Sequence, residues 1–487
     1  MPSVIERTIK GGAGFFTANL VSKGLGFLFV VVASRFLGPS EFGVLSLGLS
    51  VTGVARKLAA FGLPNTIQRF LSGRGEERSA QIYSAVLLIG GIASTLAASV
   101  LYIGAPWLST NFFDEPTLVV VLRILSIGVI VGVGATLLRA ILQAQEQVRQ
   151  IVILDTLRSV AKILLAVLLF VWVQTASGAA WAVVGSFGLA VLVAWWYVRG
   201  IDIQPSFEGG GPELRTVLGY STPLVVVGFS YFLAQQADRL MLGWLSNAEE
   251  VGLYTVTSTL AMAMSTLHGA LVSIFMPIAS QAYRDNLKEE MQNAYLFVSK
   301  WVGAVNGMAF LAFAGGGLWI LGVFGAEYAN ATTYHVLLIL SALYFIGAWV
   351  GPTGALLQMT DGHRVELTNT IAFVVANIGL NYILIQAYQI TGAALATLTS
   401  GVLRNALQVC EIAYWHGFSP FVRKNLVILA MTVVGMVGPL IIGSGALGIA
   451  LALVFIALLA GYVLRTATEK EKTVITRVIP EIPVGSC

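Results

Sequence analysis

Residues 19–72 read NLVSKGLGFLFVVVASRFLGPSEFGVLSLGLSVTGVARKLAAFGLPNTIQRFLS, and the rest of the chain is organised around this stretch. It predicts an apolar helix with Lys23 near its middle, a turn at Ser34-Arg35-Phe36-Leu37-Gly38-Pro39, and a second apolar helix that ends at Pro64-Asn65. Lipid would surround Lys23 and Arg35 on most sides. Since a charge at the centre of a membrane helix costs about 2.5–3.5 kcal/mol, such charges are candidates for function.

The composition places the whole chain in a membrane. Of 487 residues, 57% are hydrophobic and only 11% are charged, whereas soluble domains carry about 25% charged residues. The net charge of +4 is explained by the excess of Lys and Arg in cytoplasmic loops, so we expect no nucleic-acid partner. Two cysteines, Cys410 and Cys487, favour neither a disulfide framework nor a thiolate metal site. The sequence therefore predicts an all-α polytopic membrane protein with no metal and no cofactor.

Apolar runs give the number of spans. A helix needs about 20 apolar residues to cross a hydrocarbon layer of about 30 Å. About fourteen such runs are present, and we expect each to form one span. They cover residues 12–36, 42–63, 82–103, 118–142, 151–173, 178–198, 223–245, 252–278, 294–324, 334–357, 367–387, 392–412, 426–442 and 446–464.

Every second loop carries Lys or Arg, and the loops between them are nearly free of both. By the positive-inside rule, both termini are then expected in the cytoplasm, with the protein in the cell membrane. The predicted organisation is a first six-helix half, a cytoplasmic linker, a second six-helix half, two extra helices and a cytoplasmic tail. Their boundaries are 1–200, 201–217, 218–415, 416–466 and 467–487.

The two halves share short motifs in the same order. Glu41-Phe42-Gly43 aligns with Glu250-Val251-Gly252, and Ser177-Gly178-Ala179-Ala180 aligns with Thr391-Gly392-Ala393-Ala394. Short Gly/Ala matches also arise by chance in apolar sequence, but matching order together with matching topology favours a repeat. We expect two parallel six-helix repeats around a central cavity.

Charged residues inside the spans suggest what that cavity holds. Asp155, Arg158 and Lys162 occupy positions i, i+3 and i+7 of the fifth span and so share one helix face. Asp155 can neutralise one of the two cations. The alternative is a stripe near the cytoplasmic end whose side chains extend towards water. Lys23, about eleven residues into its helix, either faces a water-filled cavity or pairs with a neighbouring carboxylate.

Further charges extend this set towards the outer leaflet. Arg35 and Arg239 fall at equivalent points of the repeat, and Asp238 beside Arg239 is a possible partner or coupling group. His268, in the middle of its span, could carry a coupling proton or be a buried structural histidine. Arg56 lies near a helix end, where extension towards water is the ordinary expectation. Because cations outnumber intramembrane acids, the expected cargo is an anion.

The opening motif resembles a known family. Ala33-Ser34-Arg35-Phe36-Leu37-Gly38-Pro39-Ser40-Glu41-Phe42-Gly43, followed by Phe61-Gly62-Leu63-Pro64 and Arg69-Phe70-Leu71, is similar to the start of Wzx-type polysaccharide-biosynthesis flippases of the multidrug/oligosaccharidyl-lipid/polysaccharide exporter superfamily. The resemblance implies movement of a polyprenyl-(pyro)phosphate-linked oligosaccharide from the cytoplasmic to the outer leaflet by alternating access. We further expect a monomer in contact with membrane lipid. Its energy source is either a coupling cation or proton or the membrane potential acting on charge.

Two other classes of membrane protein would require features that this sequence lacks. A cation-coupled multidrug exporter of the same superfamily should offer a buried carboxylate in its first helices, and here the first two spans hold Lys23, Arg56 and Lys57 instead. A membrane enzyme should offer catalytic acids in a large external loop, and no such loop is present between the predicted spans. No Walker loop for ATP is found either. The sequence predicts a transporter without catalytic residues.

Overall fold

The computed structural model of the chain describes residues 4–71, 76–200, 211–468 and 471, and these form a helical structure. Residues 201–210 of the predicted linker, and 469–470 and 472–487 of the predicted tail, lie outside the described residues. The helices are α1 Val4–Ala59, α2 Leu63–Leu71, α3 Glu76–Trp107, α4 Leu118–Ala144, α5 Val148–Phe170, α6 Ala176–Val198, α7 Gly211–Leu245, α8 Ala248–Ala263, α9 Ser265–Arg284, α10 Lys288–Gly322, α11 Ala331–Val350, α12 Thr353–Met359, α13 His363–His416, α14 Arg423–Ile442 and α15 Ala446–Arg465.

Two of the long helices are broken in the middle. In α1 the backbone leaves helical geometry at Gly38, with φ 70° and ψ 175°, directly before Pro39. Glycine tolerates positive φ, and proline cannot donate the hydrogen bond that would continue the helix. In α13 the break lies at Gln389, with φ 51°. Both breaks fall in loops predicted from hydropathy, so α1 and α13 each contain two predicted spans.

The predicted apolar runs lie mostly on helix, but the run 42–63 is interrupted at residues 60–62, the run 252–278 at Met264 and the run 334–357 at residues 351–352. Nine helices of the described chain are long and apolar enough to cross a membrane, or ten if Ala248–Ala263 and His268–Arg284, bent by 46°, form one span. Length and hydropathy explain this, because a run of about 20 apolar residues is stable across lipid only when its backbone is fully hydrogen-bonded. The count of fourteen spans and the two-half layout stay predictions.

The helices form two compact units. Unit 1 contains Met1–Val256, Gly322–Tyr328 and Asn377–Ala393; unit 2 contains Thr257–Leu321, Ala329–Ala376 and Ala394–Cys487. In unit 1, α4 packs against α1, α3 and α6, with Gly128, Gly132 and other small residues buried along it. The predicted domain boundaries differ from these units and stay predictions.

In unit 2, α10 is shared by two apolar clusters. Tyr295 and Val298 pack in one cluster with residues of α9, α12 and α13, while Ala304 and Leu311 pack in another with residues of α14 and α15. α10 thereby connects the last two helices to the rest of unit 2.

The motifs that align in the predicted repeat make the same contact twice within unit 1. Glu41 Oε2 accepts a hydrogen bond from the backbone N–H of Ala176 (2.6 Å), the first residue of α6. Glu250 Oε2 accepts one from the N–H of Ile390 (2.9 Å), just after the break in α13. A carboxylate at a helix N-terminus satisfies an unpaired N–H and favours the positive end of the helix dipole. The predicted equivalence of the two Glu residues therefore extends to their hydrogen bonds.

We expect Glu41→Ala and Glu250→Ala to destabilise the protein by similar amounts, about 1.5–3 kcal/mol each, which is typical of a hydrogen bond to a charged group. The measurement is the thermal unfolding midpoint of the purified protein in detergent. Glu249→Ala is the matched control, because Glu249 is an exposed neighbour of Glu250 on the same helix turn. Unequal losses, or a loss in the control as large as in Glu250→Ala, would contradict the equivalence.

Candidate functional site

A cavity of about 240 Å³ lies inside unit 1, among α1, α4, α5 and α6. Short side chains leave room for it, since Gly128, Ser159 and Ser186 stand on three of these helices where they face the space. The residues that line it are Phe29, Leu49, Thr52, Arg56, Leu125, Gly128, Val129, Arg158, Ser159, Lys162, Val183, Ser186 and Phe187. We call this space the cationic cavity because of three of its residues.

Arg56, Arg158 and Lys162 supply positive charge to the cationic cavity. The guanidinium carbons of Arg56 and Arg158 lie 4.9 and 5.4 Å from the ring centroid of Phe187. The Lys162 Nζ lies 4.1 Å from the ring centroid of Phe29. Aromatic faces stabilise such cations by about 0.5–2 kcal/mol without neutralising them. Among the described residues that line the cavity there is no Asp or Glu, so positive charge is in excess there.

The fifth span explains how two of the three cations come together. Arg158 and Lys162 are four residues apart on α5, so they lie on one face, as the helical period predicts. Asp155 shares that face in sequence but has a partner on another helix. Its Oδ2 lies 2.9 Å from Nη2 of Arg139 on α4. Asp155 was expected to neutralise Arg158 or Lys162, whereas in the structure it forms an ion pair with Arg139.

Arg56 is the residue that sequence reasoning missed. It was expected to extend towards water together with Lys57, yet Lys57 is exposed while Arg56 lines the cationic cavity. Gly132 on α4 allows this, because a Cβ at that position would lie 2.9 Å from the Arg56 Cδ. The available signal was the spacing of Thr52 and Arg56, which are four residues apart on one face of α1.

The part of the chain that forms the cationic cavity matches a known protein family. A family model described as polysaccharide biosynthesis protein matches residues 9–283, which is more than half of the chain and includes every helix around the cationic cavity. The chain belongs to this family. The Wzx-type resemblance of the opening motif is thereby confirmed.

Two relatives are similar to this protein over most of its length. A probable low-salt glycan biosynthesis flippase, Agl15 of Haloferax volcanii, is 24% identical over 416 residues, which is 84% of this chain and 82% of the relative. Stage V sporulation protein B of Bacillus subtilis is 23% identical over 458 residues, which is 88% of this chain and 87% of the relative. The similarity therefore extends beyond the segment that the family model matches.

Solved structures share the fold. Lipid II flippase MurJ in an inward closed conformation has a TM-score of 0.73 at 13% identity, covering 96% of this chain and 100% of that chain. An inward-facing MATE family transporter of the MOP superfamily has a TM-score of 0.63 at 16% identity, covering 85% and 95%. At such low identity these likenesses show the fold alone. The family member is thus a multi-pass helical membrane protein with the fold of membrane transporters.

The other predicted cations of this family member lie elsewhere in unit 1. Lys23 is exposed and does not line the cationic cavity, although the neighbouring Ser22 Oγ lies 3.4 Å from the Oγ of Ser159, which does. Arg35 is also exposed, and its Nη1 donates to the backbone carbonyl of Val323 at 3.4 Å. The structure therefore brings Arg158 and Lys162 together and leaves Lys23 and Arg35 apart from them.

Asp238 and Arg239 lie in a separate polar cluster of unit 1. The Tyr254 hydroxyl donates to Asp238 Oδ2 at 2.5 Å, and Asn381 Nδ2 donates to Asp238 Oδ1 at 2.8 Å. Arg239 Nη1 donates to Gln236 Oε1 at 3.4 Å. These contacts explain how a carboxylate is kept inside an apolar helix bundle, since each hydrogen bond offsets part of the cost of burial.

His268, the remaining predicted coupling residue, stands near the start of α9 in unit 2 and is partly buried. It is not among the residues that line the cationic cavity. Within the described residues, no group of three or more His, Cys, Asp or Glu is arranged to hold a metal ion. The described lining of the cationic cavity offers three cationic side chains and the hydroxyl groups of Thr52, Ser159 and Ser186.

Proposed function

We propose that this chain is a flippase that moves a polyprenyl-(pyro)phosphate-linked oligosaccharide from the cytoplasmic to the outer leaflet by alternating access. The observation that carries the proposal is the cationic cavity, where Arg56, Arg158 and Lys162 meet and no acidic residue is found among the described lining residues. Guanidinium groups suit phosphate because their paired N–H donors match its oxygens. Similarity to the Haloferax relative, a probable low-salt glycan biosynthesis flippase, supports the same class of cargo.

The size of the cationic cavity limits what part of the cargo it holds. Pockets that enclose drug-sized ligands measure about 300–1,000 Å³, and this one measures about 240 Å³. A phosphate or diphosphate group fits such a space, whereas an oligosaccharide does not. Arg56 on α1 and Arg158 on α5, both stacked on Phe187, would donate hydrogen bonds to the phosphates from two helices. The glycan and the polyprenyl chain then extend outside the cavity, the latter into lipid.

We also propose roles for the charged residues that lie outside the cationic cavity. Lys23, Arg35 and Arg239 stay predicted cations of the transport path. Asp238 stays the predicted residue for coupling to a cation or proton, and it accepts hydrogen bonds from Tyr254 and Asn381. Asp155 is engaged by Arg139. His268 stays a prediction, as do the monomeric state and the cytoplasmic placement of both termini.

The test is transport by purified protein in proteoliposomes, with radiolabelled farnesyl diphosphate-linked N-acetylglucosamine as the probe. We expect Arg56→Gln and Arg158→Gln each to slow its movement between leaflets by about 10- to 100-fold, since charge-assisted hydrogen bonds contribute about 1.5–3 kcal/mol. Lys57→Gln is the matched control, because it removes the same charge from the adjacent, exposed position. We expect it to transport like the wild type.

A cation-coupled multidrug exporter is the second candidate, favoured by the MATE-like fold. The charge of the cationic cavity opposes it, because a cationic drug would meet three cations there. Export of ethidium by the same proteoliposomes distinguishes the two functions. Ethidium transport without movement of the diphosphate probe would overturn the flippase proposal.

A further inference from the structure

An ion pair lies next to the cationic cavity without lining it. Arg139 on α4 donates from Nε to Asp155 Oδ1 at 3.1 Å and to Oδ2 at 3.0 Å, and its Nη2 lies 2.9 Å from Oδ2. Its Nη1 donates to Gln143 Oε1 at 3.3 Å. Both carboxylate oxygens of Asp155 are therefore engaged by one guanidinium, in the forked geometry that arginine favours.

Asp155 is also within reach of a cavity cation. It stands three residues before Arg158 on α5, a spacing at which side chains of a helix contact each other. Inside a protein, attraction between opposite charges is much stronger than in water. Without Arg139, the carboxylate of Asp155 would therefore turn to Arg158, whose guanidinium now stacks on Phe187.

We propose that Arg139 is a positioning residue which occupies both carboxylate oxygens of Asp155, so that they do not pair with Arg158 and Arg158 stays available to bind phosphate. Arg139 and Asp155 together carry no net charge, and the three cations of the cavity keep theirs. Loss of Arg139 alone would place a carboxylate where the phosphate has to compete with it. This proposal rests on the proposed function only in that the cationic cavity binds phosphate groups.

The proposal predicts that a second substitution, which removes the carboxylate of Asp155, restores the affinity lost with Arg139. Arg139→Gln releases Asp155 and is expected to weaken binding of inorganic pyrophosphate by at least 10-fold. Adding Asp155→Asn removes the competing carboxylate, so the double variant is expected to bind within 3-fold of the wild type. A purely structural role also predicts recovery in the double variant, because removing both partners of an ion pair is often neutral for stability. The thermal unfolding midpoint of each variant is therefore measured beside its affinity: positioning predicts that Arg139→Gln loses affinity at temperatures where it is fully folded, and a loss of affinity that only follows unfolding overturns the proposal.

Inorganic pyrophosphate is titrated into the purified full-length protein in lipid nanodiscs, and its affinity is measured by isothermal titration calorimetry. Arg139→Lys is included because it keeps a charge opposite Asp155; it is expected to lose less affinity than Arg139→Gln. If Arg139→Gln does not fold, binding by the double variant relative to Asp155→Asn still decides the question, since both lack the carboxylate and differ only in the cation at position 139. Equal affinities of those two support the proposal, and a weaker double variant overturns it.

Arg56→Gln separates this proposal from the proposed function. If Arg56→Gln loses affinity while Arg139→Gln binds like the wild type, the role of Arg139 is overturned and phosphate binding by the cavity stands. If the wild type does not bind pyrophosphate, or Arg56→Gln binds it unchanged, the cationic cavity is not a phosphate site. The proposed function and the role of Arg139 then both fail.

Discussion

Gly43→Ala is expected to destabilise the protein by at least about 3 kcal/mol, at or above the upper end of the usual cost of overpacking. A Cβ at Gly43 on α1 would overlap the carbonyl oxygen of Ala248, and a Cβ at Gly252 on α8 would overlap the carbonyl oxygen of Pro39. The two backbones therefore approach each other through both glycines. Because backbone atoms cannot rotate aside as a side chain can, the helices would have to separate.

The measurement is the thermal unfolding midpoint in detergent, with Gly26→Ala as the matched control. Gly26 lies on the same helix, and a Cβ there would meet nothing within 4 Å. The control is expected to keep or gain stability, by up to about 1 kcal/mol, because alanine favours helix over glycine. Gly252→Ala should repeat the loss seen with Gly43→Ala. If Gly43→Ala unfolds at the same temperature as the control, the close approach of α1 and α8 is wrong.

Glu471→Gln is expected to destabilise unit 2 by about 3–5 kcal/mol, the usual result of removing one partner of a buried ion pair. Lys300 on α10 is only 3% exposed, and its Nζ lies 2.8 Å from Glu471 Oε2 and 3.1 Å from the carbonyl oxygen of Thr466. Glu471 Oε2 also accepts from the N–H of Thr468 at 2.9 Å. The segment after α15 is thus bound to α10 through one buried ammonium group.

The same ion pair predicts recovery in a double variant. Lys300→Met with Glu471→Gln removes the buried charge together with its partner, and replacing a buried pair by apolar side chains is often neutral for stability. We therefore expect the double variant to unfold near the wild-type temperature and above Glu471→Gln. Glu290→Gln, an exposed position on the same helix as Lys300, is the control and should change little. A double variant as unstable as Glu471→Gln would show that the loss does not come from an unpaired Lys300.

The sequence by itself determined the helical class and the approximate positions of most helices, but not every helix end: the second helix was expected to end at Pro64-Asn65, whereas α1 ends at Ala59 and Pro64 lies in α2. Apolar runs of about 20 residues have few alternatives in lipid, because every backbone polar group needs a partner within the same segment. The breaks in α1 and α13 were also predicted from local sequence. The first was predicted from Gly38-Pro39, and the second from the polar residues around Gln389 that separate two apolar runs. The shared face of Arg158 and Lys162 follows from the helical period alone.

Only the tertiary structure decided which charges meet. Asp155 is closer in sequence to Arg158 than to any other cation of its helix, yet its partner is Arg139, sixteen residues away on α4. Arg56 enters the cationic cavity because Gly132 of another helix leaves space for its side chain. Lys300 finds Glu471 across 171 residues of chain. Such contacts depend on how helices far apart in sequence pack against each other, and hydropathy and helical period carry no information about that packing.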